Sequence, residues 1–92
     1  MAAIRAAENG RSVVLLEKNR RPGVKILMSG GTRCNLTHAT DRRGILSVFE
    51  KQQANFLQSA LAAFEPSDLT GYVEAEGIEL KTESTGKIFP AS

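Results

Sequence analysis

The 92-residue sequence predicts an α/β fold, and three observations along the chain support this prediction. Residues 2–8 are strong helix formers, and the pair Asn9-Gly10 that follows them favours a helix end. Residues 12–16 form a short Val-rich apolar run, which is typical of a strand buried on both faces of a parallel sheet. Residues 78–90 alternate apolar and charged side chains around a Ser-Thr-Gly turn, and this pattern predicts a β-hairpin.

The middle of the chain is predicted to be mainly helical. A short helix is expected over residues 24–28, after a Pro-Gly turn. Residues 45–64 carry apolar side chains at helical spacing, so a mainly helical region with one apolar face is expected there, ending at Pro66. Ser67 is predicted to cap another short helix that ends near Gly77.

Composition and charge limit the class of protein. A single cysteine cannot form an internal disulfide, and no apolar run is long enough to span a membrane. Because the first residues also lack the pattern of a signal peptide, a cytoplasmic protein is expected. Residues 1–43 hold nine Lys or Arg and three Asp or Glu, a balance of +6, whereas residues 44–92 have a balance of −4. The basic half is compatible with an anionic partner, such as a phosphate-bearing cofactor or nucleic acid. A solvated basic surface is the alternative, and charge alone does not decide between the two.

Glu17 is placed at the end of the Val-rich run, where a carboxylate can accept hydrogen bonds from both hydroxyls of a ribose. In dinucleotide-binding βαβ units such an acid follows the glycine-rich loop by about 20 residues. The predicted helix and strand precede Glu17 in the order that such a unit requires. We therefore expect a partial Rossmann-like domain from which the first strand and glycine loop are absent. An acid that merely lies at the surface is the alternative.

Positive charge and accessible backbone follow Glu17. The basic residues of segment 18–25 suit a diphosphate, although a solvated loop would have the same composition. The Ser-Gly-Gly sequence at 29–31 offers backbone N–H groups and close approach to a ligand, or else forms a flexible turn. Arg33 could bind a phosphate through two parallel N–H groups, or lie on the surface.

Cys34 is the only cysteine, which excludes a catalytic dithiol and a metal site built from several thiolates. His38 lies four residues later, but no other feature supports Cys–His catalysis. We expect the small thiol to pack beside a cofactor or the core. The sequence predicts no metal site and assigns no catalytic acid or base.

Three blocks of sequence carry a family resemblance. LLEKN at 15–19 and PGVKILMSGGTRCN at 22–35 resemble the signature of a bacterial family of FAD-dependent, NAD(P)H-linked oxidoreductases. This family includes bile-acid dehydro-reductase-like and aminoacetone-oxidase-like flavoproteins. Residues 1–3 resemble the continuation of the family's glycine loop, and ESTGKIFPAS at 83–92 resembles its E-x-x-G-R-x-F-P-x-S element. The sequence departs from the family pattern at Val24, where Arg or Lys is usual, at Thr32, where Gly is usual, and at Lys87, where Arg is usual.

The resemblance implies that residues 1–92 are part of an FAD/NAD(P)-binding domain truncated at both ends. It implies hydride transfer from NAD(P)H through flavin to an organic acceptor, with Glu17 at the adenosine ribose. FAD and a small-molecule substrate are the expected partners of the full-length protein, without nucleic acid or membrane. The 92 residues alone are expected to be inactive and prone to self-association. The residues expected at the cofactor are Glu17, Lys18, Lys25, Ser29, Gly30, Gly31, Arg33, Cys34 and Asn35.

The alternative to an oxidoreductase is a non-catalytic remnant or interaction module with a basic N-terminal half. Nucleic-acid binding through that half is a weaker hypothesis. No aromatic side chain lies among the cations between Arg5 and Arg43, so base stacking has no support there.

Overall fold

The computed structural model describes residues 1–28 and 33–91, which form five helices and one three-stranded antiparallel sheet. The central strand is the last one in the chain, and it pairs with the other two. This mixed architecture confirms the predicted α/β class, the helix at the start of the chain and the hairpin at its end. The helices are α1 (Ala2–Glu8), α2 (Val24–Met28), α3 (Arg42–Leu46), α4 (Lys51–Ala63) and α5 (Pro66–Ala75), and the strands are β1 (Thr37–His38), β2 (Leu80–Thr82) and β3 (Lys87–Pro90).

The β2–β3 hairpin forms the best-packed part of the molecule. Thr82 pairs with Ile88 across the hairpin, and Leu80 pairs with Pro90. Ile88 and Phe89 are only 8% and 4% exposed, and they are the buried apolar side chains of the described residues apart from a proline at the start of α5. The core therefore lies on β3, where the strand meets both of its neighbours.

Gly86 closes the hairpin turn. Its backbone N–H donates to the carbonyl oxygen of Glu83 at 2.8 Å, and its φ of +85° lies in the left-handed region that favours glycine. A side chain here would also approach the ring of His38, because an ideal Cβ atom would lie 2.5 Å from Nε2. The backbone angle is the main reason for glycine at this turn, since the exposed ring of His38 can move away from an added Cβ atom.

We expect Gly86→Ala to lower the free energy of unfolding by about 1–3 kcal/mol, because alanine adds left-handed strain and displaces the ring of His38. Gly71→Ala is the matched control. Gly71 lies within α5 and an added Cβ would contact nothing within 4 Å, so alanine there should stabilise the helix by about 0.5–1 kcal/mol. Urea denaturation of both variants in the full-length protein measures the difference. Equal stability of the two variants would contradict this account of the turn.

β1 is a strand that the sequence did not predict. A strand of two residues is too short for an alternating pattern to be recognised. Thr37 pairs with Ile88, and the backbone N–H of Leu36 donates to the carbonyl oxygen of Ile88 at 2.9 Å. This pairing holds the segment that begins at Arg33 against the hairpin.

The mainly helical region predicted over residues 45–64 is confirmed, and it is divided between two helices because each has its own start signal. Asp41 caps α3 by accepting a hydrogen bond from the backbone N–H of Gly44 at 2.9 Å. Glu50 caps α4, and its own N–H donates to the side-chain oxygen of Gln53 at 3.3 Å in a capping box. Residues 47–50 therefore separate the two helices.

α5 begins two residues earlier than the predicted cap at Ser67 indicated. Pro66 occupies the first turn, where its missing N–H costs nothing, and Glu65 rather than Ser67 is the capping residue. The N–H of Glu65 donates to Asp68 at 2.8 Å, and its carboxylate accepts from the N–H of Arg42 at 3.3 Å. Glu65 therefore joins the starts of α3 and α5.

The prediction of a buried strand over residues 12–16 is wrong in this structure. These residues form neither helix nor strand, and Val14 and Leu16 are 82% and 89% exposed. A strand requires a neighbour that pairs with its backbone groups, and within the described residues no strand lies beside this run. Of the helices that the structure describes, none has the length and apolar character needed to cross a membrane.

Candidate functional site

Glu17 lies in an exposed segment, and its carboxylate is oriented by Asn19. One carboxylate oxygen, Oε1, accepts hydrogen bonds from the backbone N–H of Asn19 at 2.8 Å and from its side-chain amide at 3.1 Å. In the described part of the chain, no donor contacts the second oxygen, Oε2. Glu17 therefore has a carboxylate that Asn19 holds through one oxygen, while the other oxygen has no donor within the described residues.

The cations after Glu17 are accessible. Lys18 lies in the turn that follows Glu17, and Lys25 lies in α2. Both side chains are exposed, and neither forms an ion pair with any residue in 1–28 or 33–91. Positive charge that no acid neutralises remains available to an anionic ligand. Three further predicted residues, Ser29, Gly30 and Gly31, lie outside the described residues.

Arg33 contacts two residues of the hairpin. Its guanidinium nitrogen Nη1 is 2.5 Å from Oε1 of Glu83, and its Cζ atom lies 4.1 Å from the centroid of the Phe89 ring. The guanidinium therefore combines an ion pair with a cation–π contact. Fifty residues of sequence separate Arg33 from Glu83, so this cluster joins two distant parts of the chain.

Glu83 is held in its charged form. The hydrogen bond from Arg33 lowers the pKa of the Glu83 carboxyl below its usual value, and the positive charges of Arg33, Lys81 and Lys87 act in the same direction. Because the pKa is lowered, the ion pair contributes fully above the ordinary carboxyl pKa, and its contribution is lost as pH falls through the lowered value. The contact between Arg33 and Glu83 is thus intact at neutral pH.

Cys34 and Asn35 lie between two anchored residues. Arg33 is held by its side chain, and Leu36 is held by its backbone hydrogen bond to Ile88. Cys34 is half-buried with a free thiol, whereas Asn35 is exposed. No hydrogen bond joins Cys34 to His38 in the part of the chain that the structure describes, and no group of three potential metal ligands occurs there.

Glu83 and Phe89 are the two residues that sequence reasoning missed. Both occur in the ESTGKIFPAS block, which resembles a family element, but neither was assigned a role there. Their roles depend on a contact with Arg33 across the sheet. A signal in a single sequence cannot reveal such a distant contact, because periodicity and turn patterns are local.

Comparison with known proteins places the chain in a family. The whole chain, residues 1–92, matches the family described as HI0933-like protein Rossmann domain. The chain belongs to this family. Membership confirms the predicted Rossmann-like α/β class, and it supports an FAD-binding domain of the oxidoreductase type. It does not distinguish the bile-acid and aminoacetone subfamilies.

Two relatives of the chain are both named ribosomal RNA dihydrouridine synthase. The chain is 38% identical over 84 residues to a ribosomal RNA dihydrouridine synthase of Escherichia coli (strain K12), a match that covers 91% of this chain and 20% of the relative. It is 32% identical over 87 residues to a ribosomal RNA dihydrouridine synthase of Haemophilus influenzae (strain ATCC 51907 / DSM 11121 / KW20 / Rd), covering 95% of this chain and 21% of the relative. The chain thus spans about a fifth of the length of these relatives.

These relatives correct one prediction. Their names state a reaction on ribosomal RNA, so the prediction of no nucleic-acid partner is wrong. That prediction relied on the lack of aromatic residues among the cations of the basic half. The argument failed because a protein can contact RNA phosphates through cations alone and bind the target base elsewhere in a longer chain.

Proposed function

We propose that the full-length protein is an FAD-dependent oxidoreductase that reduces uridine in ribosomal RNA to dihydrouridine, and that residues 1–92 contribute to its FAD-binding domain. The observation that carries this proposal is the 38% identity to a ribosomal RNA dihydrouridine synthase over 91% of this chain. The similar region includes the segment from Glu17 to Asn35, in which all of the candidate cofactor residues lie. An RNA base replaces the small-molecule acceptor that the sequence predicted.

The proposed reaction saturates the C5–C6 double bond of the uracil ring. One carbon receives a hydride, which carries both electrons, and the other receives a proton that comes ultimately from solvent, so the base gains the equivalent of two hydrogen atoms. NAD(P)H is the proposed source of the electrons and leaves as NAD(P)⁺. Bound FAD supplies the hydride-transfer chemistry, whereas the protein supplies binding, orientation and electrostatics.

The geometry of Glu17 fits a role at the adenosine ribose of FAD. Asn19 fixes the carboxylate through Oε1, so Oε2 can accept a hydrogen bond from a ribose hydroxyl without first breaking a contact within the described residues. Lys18 and Lys25 are exposed and would offset the negative charge of the diphosphate. These three residues would bind the cofactor without taking part in the transfer of hydride.

The remaining candidates follow along the chain. Ser29, Gly30 and Gly31 are proposed at the cofactor because of their backbone N–H groups and their place before Arg33 in the sequence. Cys34 and Asn35 are proposed beside it because they lie on the short segment held between Arg33 and Leu36. In this arrangement the thiol of Cys34 packs beside the cofactor, and Asn35 offers the cofactor a polar side chain.

The exposed arginines of the basic half suit an RNA substrate. Arg20 and Arg21 lie in the turn after Glu17, and both side chains are accessible. Contacts from such residues to phosphates would orient a ribosomal RNA strand without reading its sequence. A ribosomal RNA substrate also supports the cytoplasmic location that the sequence predicts.

The proposal is tested by incubating purified full-length protein with FAD, NAD(P)H and ribosomal RNA that lacks dihydrouridine. We expect dihydrouridine to form at a defined uridine, detected by mass spectrometry of RNA digests as the addition of two hydrogen atoms. Reactions without NAD(P)H are the control for electron supply. Flavin reduction by NAD(P)H without any change in the RNA would contradict the proposed substrate. A protein that binds no flavin would favour the non-catalytic alternative.

A further inference from the structure

We infer that Arg33 is a positioning residue of the cofactor site, which acts through Glu83 and Phe89 to hold the segment of Cys34 and Asn35 in place for FAD. This inference rests on the proposed function, because it assigns a role within the same FAD site. It assigns the guanidinium to the hairpin rather than to a phosphate of the cofactor.

The contacts of Arg33 support this assignment. Nη1 is 2.5 Å from the Glu83 carboxylate, and the guanidinium carbon lies 4.1 Å from the centre of the Phe89 ring. Phe89 is 4% exposed and belongs to the core, so the ring is a fixed surface for the cation. A guanidinium that is stacked and ion-paired at once has less freedom to turn toward a ligand than the exposed lysines have.

The backbone supplies the second anchor. The N–H of Leu36 donates to the carbonyl oxygen of Ile88 at 2.9 Å, and Thr37 then enters the sheet opposite the same residue. Cys34 and Asn35 are the only two residues between the side-chain anchor at Arg33 and the backbone anchor at Leu36. Two fixed points so close together restrict the backbone of both residues, which lowers the entropy cost of ordering them around a ligand.

Charge in the hairpin keeps this cluster formed. Lys81 and Lys87 flank Glu83, and with Arg33 they favour its ionised form. The side chain of Glu83 is 29% exposed, whereas that of Arg33 is 57% exposed. The ion pair is therefore partly open to solvent, so its loss should alter the position of the segment without unfolding the sheet.

The change in FAD affinity caused by Glu83→Gln in the full-length protein distinguishes a positioning role of Arg33 from direct phosphate binding. If Arg33 positions the segment, loss of the ion pair weakens FAD binding, and we expect the dissociation constant to rise about 3- to 10-fold. If Arg33 is instead a free phosphate ligand, removing the carboxylate that competes for its guanidinium should leave FAD binding unchanged or strengthen it. The measurement is titration of the apoprotein with FAD, followed by quenching of flavin fluorescence.

Glu79→Gln is the matched control. Glu79 lies just before β2, is exposed, and forms no ion pair among the described residues, so the variant changes net charge by the same amount without disturbing Arg33. We expect its FAD affinity to equal that of the wild type. An equal loss in both variants would mean that net charge, rather than the Arg33–Glu83 pair, determines affinity, and would overturn the inference.

A double-mutant cycle tests whether the pair acts as a unit. Arg33→Gln should weaken FAD binding at least as much as Glu83→Gln, and the double variant should be no weaker than Arg33→Gln alone. Thermal unfolding of each apoprotein shows that binding is measured on folded protein.

Lower stability with unchanged FAD affinity would assign the pair a purely structural role and contradict the inference. Additive losses in the cycle would also contradict it. A wild-type protein without FAD affinity would contradict the proposed function as well, whereas wild-type binding that Glu83→Gln leaves intact contradicts this inference alone.

Discussion

Glu17→Gln in the full-length protein is expected to lower FAD affinity by about 10- to 100-fold. The substitution removes the negative charge and makes the group a weaker acceptor for the ribose hydroxyls. A hydrogen bond to a charged group contributes about 1.5–3 kcal/mol, which corresponds to the expected range. The structure adds a reason for a large effect, since Asn19 already fixes the carboxylate and the free oxygen needs no reorganisation. Titration of the apoprotein with FAD measures the change.

Glu74→Gln is the control for this prediction. Glu74 is an exposed acid within α5 and forms no ion pair in the residues that the structure describes. The substitution therefore changes the net charge without altering the candidate site. Its FAD affinity should match the wild type. If Glu17→Gln binds FAD as tightly as Glu74→Gln does, Glu17 is a surface acid and the assignment to the ribose is wrong.

The 92-residue chain by itself is expected to bind FAD no tighter than about millimolar and to oxidise no NAD(P)H. The described residues bury little apolar surface outside Ile88 and Phe89, so little free energy is available to order a binding segment. The exposed run from Val13 to Leu16 offers apolar side chains and backbone groups without a strand partner in the described structure. Such a run promotes pairing between copies, so self-association is also expected.

Sedimentation and flavin fluorescence test this second prediction. Leu16→Lys should reduce self-association, because a charge in the exposed run opposes pairing between copies. Phe56→Lys is the control, since Phe56 is 86% exposed but lies on α4, away in sequence from the run. A monomeric chain that unfolds cooperatively and binds FAD at micromolar concentration would contradict both expectations. If the two lysine variants reduce self-association equally, the contact between copies does not depend on the exposed run.

The sequence predicted those parts of the fold that local signals determine. Gly10, Gly77 and Gly86 all have positive φ values, and each stands at the helix end or turn where the sequence indicated a break. The hairpin followed from its alternation and its turn. The start of α5 was placed two residues late, because Pro66 was interpreted as a stop for the preceding helix when it is also suited to the first turn of the next one.

Features that depend on distant residues could not be predicted in this way. The Val-rich run has the composition of a buried strand, but composition does not supply the neighbour that a strand needs. β1 exists only because β3 offers a free edge to two residues. For the candidate site, the sequence pointed to Glu17 and Arg33, whereas the contacts of Arg33 with Glu83 and Phe89 required the fold to bring the hairpin beside it.

Dihydrouridine in cellular ribosomal RNA tests the central claim most directly. Cells that lack the full-length protein should lose dihydrouridine at a defined position of their ribosomal RNA, measured by mass spectrometry of RNA digests. The wild-type protein should restore it, and the Glu17→Gln variant, supplied at the same protein level, should restore less. Unchanged dihydrouridine in cells without the protein would contradict the proposed substrate, and full restoration by Glu17→Gln at limiting FAD would contradict the proposed cofactor site.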